Sequence, residues 1–218
     1  MDTAAKQFLR IPLNRIGAVI GPKGSIRRDI EKRTGSKIII DSDTGEVEIR
    51  PGKNLEDPVL LIKAKEIIRA IGRGFSNVQS VKLAEDDYYL EVIRLKPLLK
   101  HNQKQIVRVK SRIIGTKGKT RAKMEELTKT TIVVSGSTIS IIGTLSDLGD
   151  AKDAIIRLVN GAVIESVLGQ LEAKRREVKK DNERLWKSED DEKTMSELFE
   201  EMDKENEIEE DIFKNFKS

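Results

Sequence analysis

Ile20-Gly21-Pro22-Lys23-Gly24-Ser25-Ile26-Arg27-Arg28-Asp29-Ile30-Glu31 and Ile114-Gly115-Thr116-Lys117-Gly118-Lys119-Thr120-Arg121-Ala122-Lys123-Met124-Glu125 are two versions of one stretch. Ile20 matches Ile114, Arg27 matches Arg121, Ile30 matches Met124 and Glu31 matches Glu125. Further on, Thr34 matches Thr128 and Ile38 matches Ile132. The two Gly-x-x-Gly tetrapeptides lie about 94 residues apart, so the duplicated unit has the size of a domain rather than of a solenoid repeat. The first tetrapeptide is reached by Ile16-Gly17-Ala18-Val19-Ile20 and the second by Ser111-Arg112-Ile113-Ile114. Each is followed by a basic amphipathic stretch and then by a β-branched run, Ile38-Ile39-Ile40 or Ile132-Val133-Val134. Ile26 and Ile30 share a helical face, with Arg27, Arg28, Lys32 and Arg33 on others. Met124 and Leu127 take the inward face of the second copy, and Lys119, Arg121 and Lys123 point outward.

Working outward, Asp41-Ser42-Asp43-Thr44-Gly45 is turn chemistry before the alternating Val47-Glu48-Ile49, and Gly136-Ser137 leads into Ile139-Ser140-Ile141 in the same way. Helices are expected from Pro58 to about Ile71 and from about Asp150 to Val159. First strands are expected over Gln7–Ile11 and Gln105–Val109. Both halves then read strand, helix, helix, strand, strand, helix. This is an α+β arrangement in which a three-stranded sheet carries its helices on one face. The expected division is a first domain over 1–76 and a connecting segment with a short helix and strand over 77–104. A second domain follows over 105–160, then a C-terminal amphipathic helix over 161–180. Its buried stripe is Val163, Ile164, Val167, Leu168 and Leu171, and its end is basic at Lys174, Arg175, Arg176, Lys179 and Lys180. An acidic tail, disordered or partly helical, occupies 181–218 and contains Trp186, the single tryptophan.

Glycine at these corners has a physical purpose. Without a Cβ the backbone turns sharply between two helices, and a phosphate can lie against its N–H groups at the N-terminal end of the next helix. The whole pattern resembles the type I K-homology (KH) domain, whose Gly-x-x-Gly loop clamps the backbone of about four nucleotides of single-stranded nucleic acid. Two tandem KH domains are therefore expected. The residues expected to hold RNA are Ile20, Gly21, Pro22, Lys23, Gly24, Arg27 and Arg28 in the first copy. In the second they are Ile114, Gly115, Thr116, Lys117, Gly118, Lys119 and Arg121. Bases would enter an apolar groove made by Val19, Ile20 and Ile38–Ile40, or by Ile113, Ile114 and Ile132–Val134.

The formal net charge of +4 sums unlike parts. From Asp181 onward there are about 15 acidic and 6 basic residues, which leaves about 35 basic against 22 acidic in the remainder. A body this basic suits a polyanion bound with salt-sensitive affinity. Aromatic residues make up only 4% of the chain, too few for the stacked rings of an RRM sheet. The absence of cysteine excludes a disulfide framework and thiolate metal sites. No run reads as a signal peptide or membrane span, and a cytoplasmic protein is expected.

Enzymatic readings fail on spacing. Gly118-Lys119-Thr120 echoes the end of a P-loop, but the upstream glycine that motif requires falls at Ile113. A single histidine, His101, leaves no nucleophile–base pair, and Glu85-Asp86-Asp87 reads as a solvated turn rather than a metal site. Neither catalysis, a cofactor nor a metal is expected.

Three segments together carry a more specific resemblance: Ile20-Gly21-Pro22-Lys23-Gly24 with Glu31-Lys32-Arg33-Thr34, then Ala70-Ile71-Gly72-Arg73-Gly74-Phe75-Ser76, then Arg112-Ile113-Ile114-Gly115-Thr116-Lys117-Gly118-Lys119-Thr120. They look like the archaeal KH-domain rRNA-processing proteins, which are similar to the eukaryotic partner-of-Nob assembly factors. The resemblance covers about Gln7 to Arg176 and leaves out the tail. It implies a role in small-ribosomal-subunit maturation, with binding near the 3′ end of the small-subunit rRNA beside a Nob-type endonuclease. It also implies association with the α subunit of translation initiation factor two, and it favours the second loop for RNA contact. A KH adaptor in mRNA or exosome-type decay, and a scaffold that binds no RNA, remain open alternatives.

Overall fold

The computed structural model describes residues 6–53, 55 and 57–181. The chain divides after Leu171, and the part up to there holds two three-stranded antiparallel sheets, one in each of two repeated units. In chain order its elements begin with β1 (Gln7–Arg10), α1 (Ile16–Ile20), α2 (Ser25–Thr34), β2 (Ser36–Ile40), β3 (Glu46–Pro51), α3 (Val59–Arg73) and α4 (Asn77–Val81). They continue with β4 (Tyr88–Arg94), α5 (Leu95–Leu98), α6 (Gln103–Ile114), α7 (Lys119–Thr128), β5 (Thr131–Ser135), β6 (Thr138–Thr144) and α8 (Leu145–Val159). A further helix, α9, runs over 164–181. The strand orders are β1-β3-β2 and β4-β6-β5, so the hairpin strand is central in both sheets and β2 and β5 are edges. Trp186 and the acidic segment beyond Asp181 lie outside the described residues.

The two units repeat one packing scheme. In α3, Leu61, Ala64, Ile67, Ile68 and Ile71 recur at helical spacing and are all buried. They form the first core with Val19, Ile30, Ile38, Val47 and Ile49. The second core repeats it with Ile113, Met124, Ile132, Ile139 and Ile141 against Leu148, Ala151, Ile155 and Leu158 of α8. A buried hydroxyl pair recurs as well. Thr34 donates to the Ile30 carbonyl at 2.8 Å and lies 2.7 Å from Ser36, while Thr128 donates to the Met124 carbonyl at 2.8 Å and lies 2.8 Å from Thr130. Both pairs tie the end of the loop helix to the start of the edge strand.

The first strand of the second sheet is β4, not the expected strand over Gln105–Val109, which lies inside helix α6. The three β-branched residues in Gln105-Ile106-Val107-Arg108-Val109 invite a strand reading. Ile106, Val109 and Ile113, however, share a helical face and are buried, and the Asn102 side chain accepts the Gln105 N–H at 3.2 Å as an N-cap. Tyr88–Arg94 instead pairs with β6 through seven residues, Tyr88 opposite Thr144 to Arg94 opposite Thr138. A strand of the segment read as a connector therefore belongs to the second sheet. Helix α8 starts at Leu145, earlier than expected, because Thr144 caps it: its hydroxyl donates to Asp147 at 2.7 Å and accepts that residue's N–H at 3.4 Å. Of the expected α9 stripe, Val167 is buried and Ile164, Leu168 and Leu171 pack on the second core, but Val163 precedes the helix and is exposed.

One asymmetry joins the halves. The outer face of the first sheet is open to solvent, with Phe8 63% exposed and Glu48 paired to Lys6 and Arg50. The second sheet is covered on both faces, and Ile139 to Gly143 of β6 are buried without a break. Its outer face lies on the first core: Ile142 belongs to the same cluster as Phe75 and Leu83, and Tyr88, Leu90 and Val133 pack against that cluster. The turn that delivers Phe75 is capped by Gly74 in the left-handed region (φ 115°). Arg15 holds it from below, with its guanidinium donating to the Ile71 carbonyl at 2.8 and 3.0 Å and to the Phe75 carbonyl at 3.3 Å. Arg112 caps α8 in the same manner, through the carbonyls of Leu158 and Ala162. Removing the Phe75 ring, which is 1% exposed, strips the first core and the back of the second sheet together. Phe75→Ala is expected to cost about 3–5 kcal/mol, read as a lower urea midpoint of the whole chain.

Candidate nucleic-acid interface

The two loops adopt the same backbone. Gly21 has φ 71° and ψ 174°, and Gly115 has 72° and 179°. Lys23 and Lys117 are left-handed at φ 51° and 53°, both with ψ 27°, and Gly24 and Gly118 follow at φ 75° and 78°. Two successive left-handed residues point the lysine side chains into solvent and start α2 and α7 with their first N–H groups free of a side-chain cap. Glycine backbone, helix N-terminus and lysine ammonium thereby converge at each corner.

The paired glycines have different duties. A Cβ on Gly21 would collide with Ile26, and one on Gly115 would collide with the side chain and backbone N of Thr120. Nothing lies near a Cβ on Gly24 or Gly118. The first glycine of each pair therefore lets the two helices close, while the second leaves an open backbone surface. Positions 22 and 116 also differ. Pro22 has no backbone N–H, whereas Thr116 supplies one, so the second loop presents one more donor.

The groove beside each loop is more polar than expected. In the first unit a cleft of about 420 Å³ is lined by Arg27, Glu31 and Ser36 to Ile40. Val19 and Ile113, expected as groove walls, are fully buried core residues, as are Ile38 and Ile132. Ile20, Ile40, Ile114 and Val134 are half-buried and Ile39 is 39% exposed, so these are the apolar side chains left accessible beside the loops. The facing error is one residue, because the helix before the loop turns its valine or isoleucine inward to fill the core.

Glu31 and Glu125 are the groove residues the sequence reading left out of the site. Glu31 accepts the Ile38 N–H at 2.8 Å, and Glu125 accepts the Ile132 N–H at 2.7 Å, so each carboxylate caps the free edge of a strand. Their matched spacing in the repeat was the available signal. Next to them, the Nε of Arg27 and of Arg121 is buried without a hydrogen-bond partner. Arg121 Nε stands 3.6 Å from Glu125, close enough for an ion pair and too long for a hydrogen bond. An unsatisfied buried donor thus recurs at the same place in both copies. Lys23, Lys117, Lys119 and Arg28 are exposed around it. At the far end of the first groove the Asp41 carboxyl is held below the usual carboxylate range, first by the Asp43 N–H at 2.8 Å, with Thr44 adding to it.

These two grooves on two α+β units define a tandem type I KH protein. A family model described as a eukaryotic-type KH domain (KH-domain type I) matches residues 89–176, and a KH-domain model matches 6–56. A KH domain-containing protein of Methanocaldococcus jannaschii is 39% identical over 90% of this chain and 84% of its own length. An RNA-binding protein pno1 of Dictyostelium discoideum is 30% identical over 78% of this chain and 72% of its own. Among solved structures, Dim2p in the a/eIF2alpha–aDim2p–rRNA complex of Pyrococcus horikoshii is 40% identical over 81% of this chain and 97% of its own, with a TM-score of 0.76. The chain belongs to the Dim2/PNO1 family of KH-domain proteins. Among the described residues, no helix is long and apolar enough to cross a membrane, and no three His, Cys, Asp or Glu side chains gather to hold a metal.

The steric contrast is directly measurable. Gly115→Asp must displace Thr120 and is expected to lower stability by roughly 2–4 kcal/mol. Gly118→Asp meets only the left-handed backbone penalty of about 1 kcal/mol. Thermal melts followed by circular dichroism should show the first variant falling well below the second.

Proposed function

We propose that this protein binds single-stranded RNA through its two Gly-x-x-Gly loops and acts, without catalysis of its own, in maturation of the small ribosomal subunit. Its target in this reading is the 3′ region of the small-subunit rRNA. Gly115 to Gly118 with Lys119 and Arg121 form the principal phosphate clamp, and Gly21 to Gly24 with Arg27 and Arg28 form a second. Ile20 and Ile114 supply the adjoining apolar contact, and Pro22 and Thr116 shape the two loops. The observation that carries the proposal is the near-identity of the loop backbones, each ending in an unobstructed glycine beside an arginine with an unsatisfied Nε. The extra Thr116 N–H favours the second loop. The rRNA held with the Pyrococcus relative supports an rRNA ligand, and its a/eIF2alpha partner supports association with the α subunit of translation initiation factor two. A Nob-type endonuclease is the further partner implied by the family resemblance, and a cytoplasmic setting goes with this work.

Fluorescence anisotropy on an RNA of about a dozen nucleotides from the small-subunit 3′ end tests the assignment. Gly118→Asp is expected to weaken binding about tenfold or more, because a carboxylate replaces the phosphate-facing surface, and Gly24→Asp should weaken it less. Unchanged affinity in both variants, with melts showing a folded chain, would remove the loops from the interface. Equal affinity for unrelated single strands would point to a general RNA adaptor instead.

A further inference from the structure

Away from both loops, a cleft of about 630 Å³ opens between β1 and α3, floored by Ile11 and Pro12 and rimmed by Arg10, Lys65, Arg69 and Arg73. Lys65, Arg69 and Arg73 follow one another at four-residue spacing and so form one stripe of like charge along α3, an arrangement that by itself opposes the helix. Some of these cations are engaged. Arg10 donates to the Thr44 carbonyl at 3.0 Å, Lys65 to Gln7 at 2.9 Å, and Arg69 pairs with Glu66 at 3.2 Å. Arg73 is half-buried and, like the neighbouring Arg94 at the end of β4, has no carboxylate among the described residues. Burial first, then repulsion from Arg69 and Arg94, holds the Arg73 guanidinium below its usual range. A helix C-terminus favours a cation in its last turn, which accounts for Arg73 alone. Arg10 and Arg94 arrive from other elements. What would relieve such a cluster is a multiply charged anion.

Its position says which anion. Arg73 adjoins Gly74, where a Cβ would come within 3.1 Å of Val133 and 4.0 Å of Ser135. Arg94 sits opposite Thr138, at the turn end of the β5–β6 hairpin. Strand β5 corresponds to the groove strand β2 of the first half, and Arg94 lies across the sheet from it, at the end where β5 finishes at Ser135. We infer that Arg73 and Arg94, with Arg69 and the cleft beside them, are a second phosphate seat that holds the RNA backbone as it leaves the second KH groove. This inference rests on the RNA-binding reading above, and it extends the footprint beyond the nucleotides the loop clamps.

The slope of log affinity against log salt separates the two claims. For an RNA of about a dozen nucleotides, Arg73→Gln with Arg94→Gln is expected to lower that slope by about 1.4, two phosphates at roughly 0.7 each. Affinity at low salt should fall about tenfold. The melting temperature should hold, since a repulsion is removed. If the double variant is poorly folded, Arg94→Gln alone, at an exposed position, should lower the slope by about 0.7. A slope and affinity equal to wild type would overturn the seat, while loss of binding in Gly118→Asp in the same assay keeps the loop reading intact. Failure of the wild-type chain to bind RNA would overturn both. A poly-glutamate peptide whose binding needs Arg73 and Arg94, alongside an unchanged RNA isotherm, would also overturn the seat by showing a protein-binding patch.

Discussion

The burial of Phe75 and Ile142 in one cluster is the contact on which the arrangement of this molecule depends. A three-stranded sheet needs only one covered face, and the first sheet shows that: its outer side stays wet, with charged residues opposite one another in register. The second sheet has spent its other face on the first unit. Five successive buried residues in β6 follow directly, because both sides of the pleat are against protein. The Ala70-to-Ser76 segment makes this junction. It ends α3 with a left-handed glycine, turns Phe75 into the junction and begins α4 with the Ser76–Gln79 capping box. Two RNA-binding folds on a string would need none of these.

Duplication makes the structure partly self-checking. Whatever recurs with the same geometry in sequences that have otherwise diverged reflects a physical demand of the unit. The glycine and lysine torsions, the glutamate capping the edge strand and the buried hydroxyl pair all recur. Each has a distinct reason. The torsions build the corner, the glutamate occupies an edge N–H that would otherwise face the groove unpaired, and the hydroxyls satisfy a helix end under the sheet. The differences carry information about specialisation, as Thr116 in place of Pro22 shows.

Much of this was legible in the sequence, for reasons tied to particular residues. The loops announced themselves because two glycines with lysine between them are hard to place anywhere but at a left-handed corner. The helices α3 and α8 were expected close to where they stand, and the inward-facing Ile30 and Met124 are both fully buried. The reading of Gln105–Val109 failed because Ile106, Val107 and Val109 are β-branched and five residues are too few to fix a period, so only the Asn102 cap and the contact of Ile113 with the core decide. Val19 and Ile113 were assigned to the groove for a related reason. Helix α1 is too short for its sequence to fix its rotation, so Val19 and Ile20 exchange roles with a small turn about the axis, and the rotation of α6 at Ile113 was hidden because its start was read as a strand. The role of Tyr88–Arg94 was hidden because strand pairing is non-local. Its partner, β6, begins at Thr138, far along the chain.

The charges complete the picture in a way that composition cannot. Exposed pairs such as Arg33 with Asp29 and Lys152 with Glu91 are ordinary surface contacts of small energetic weight. The Lys152 ammonium is accordingly raised by its hydrogen bond to Glu91 with no further consequence for the fold. The cations at the loops are different in kind, since Lys23 and Lys117 sit on strained left-handed backbone and have no carboxylate beside them among the described residues. Holding a lysine there costs conformational energy in both copies, and the fold recovers none of it through packing because the side chain is exposed. The torsion builds the corner, but the side chain it carries is exposed and packs on nothing, so a lysine set beside an open glycine and a helix N-terminus fits the proposed RNA contact as preorganisation: the conformational cost is borne in the free protein and not on binding.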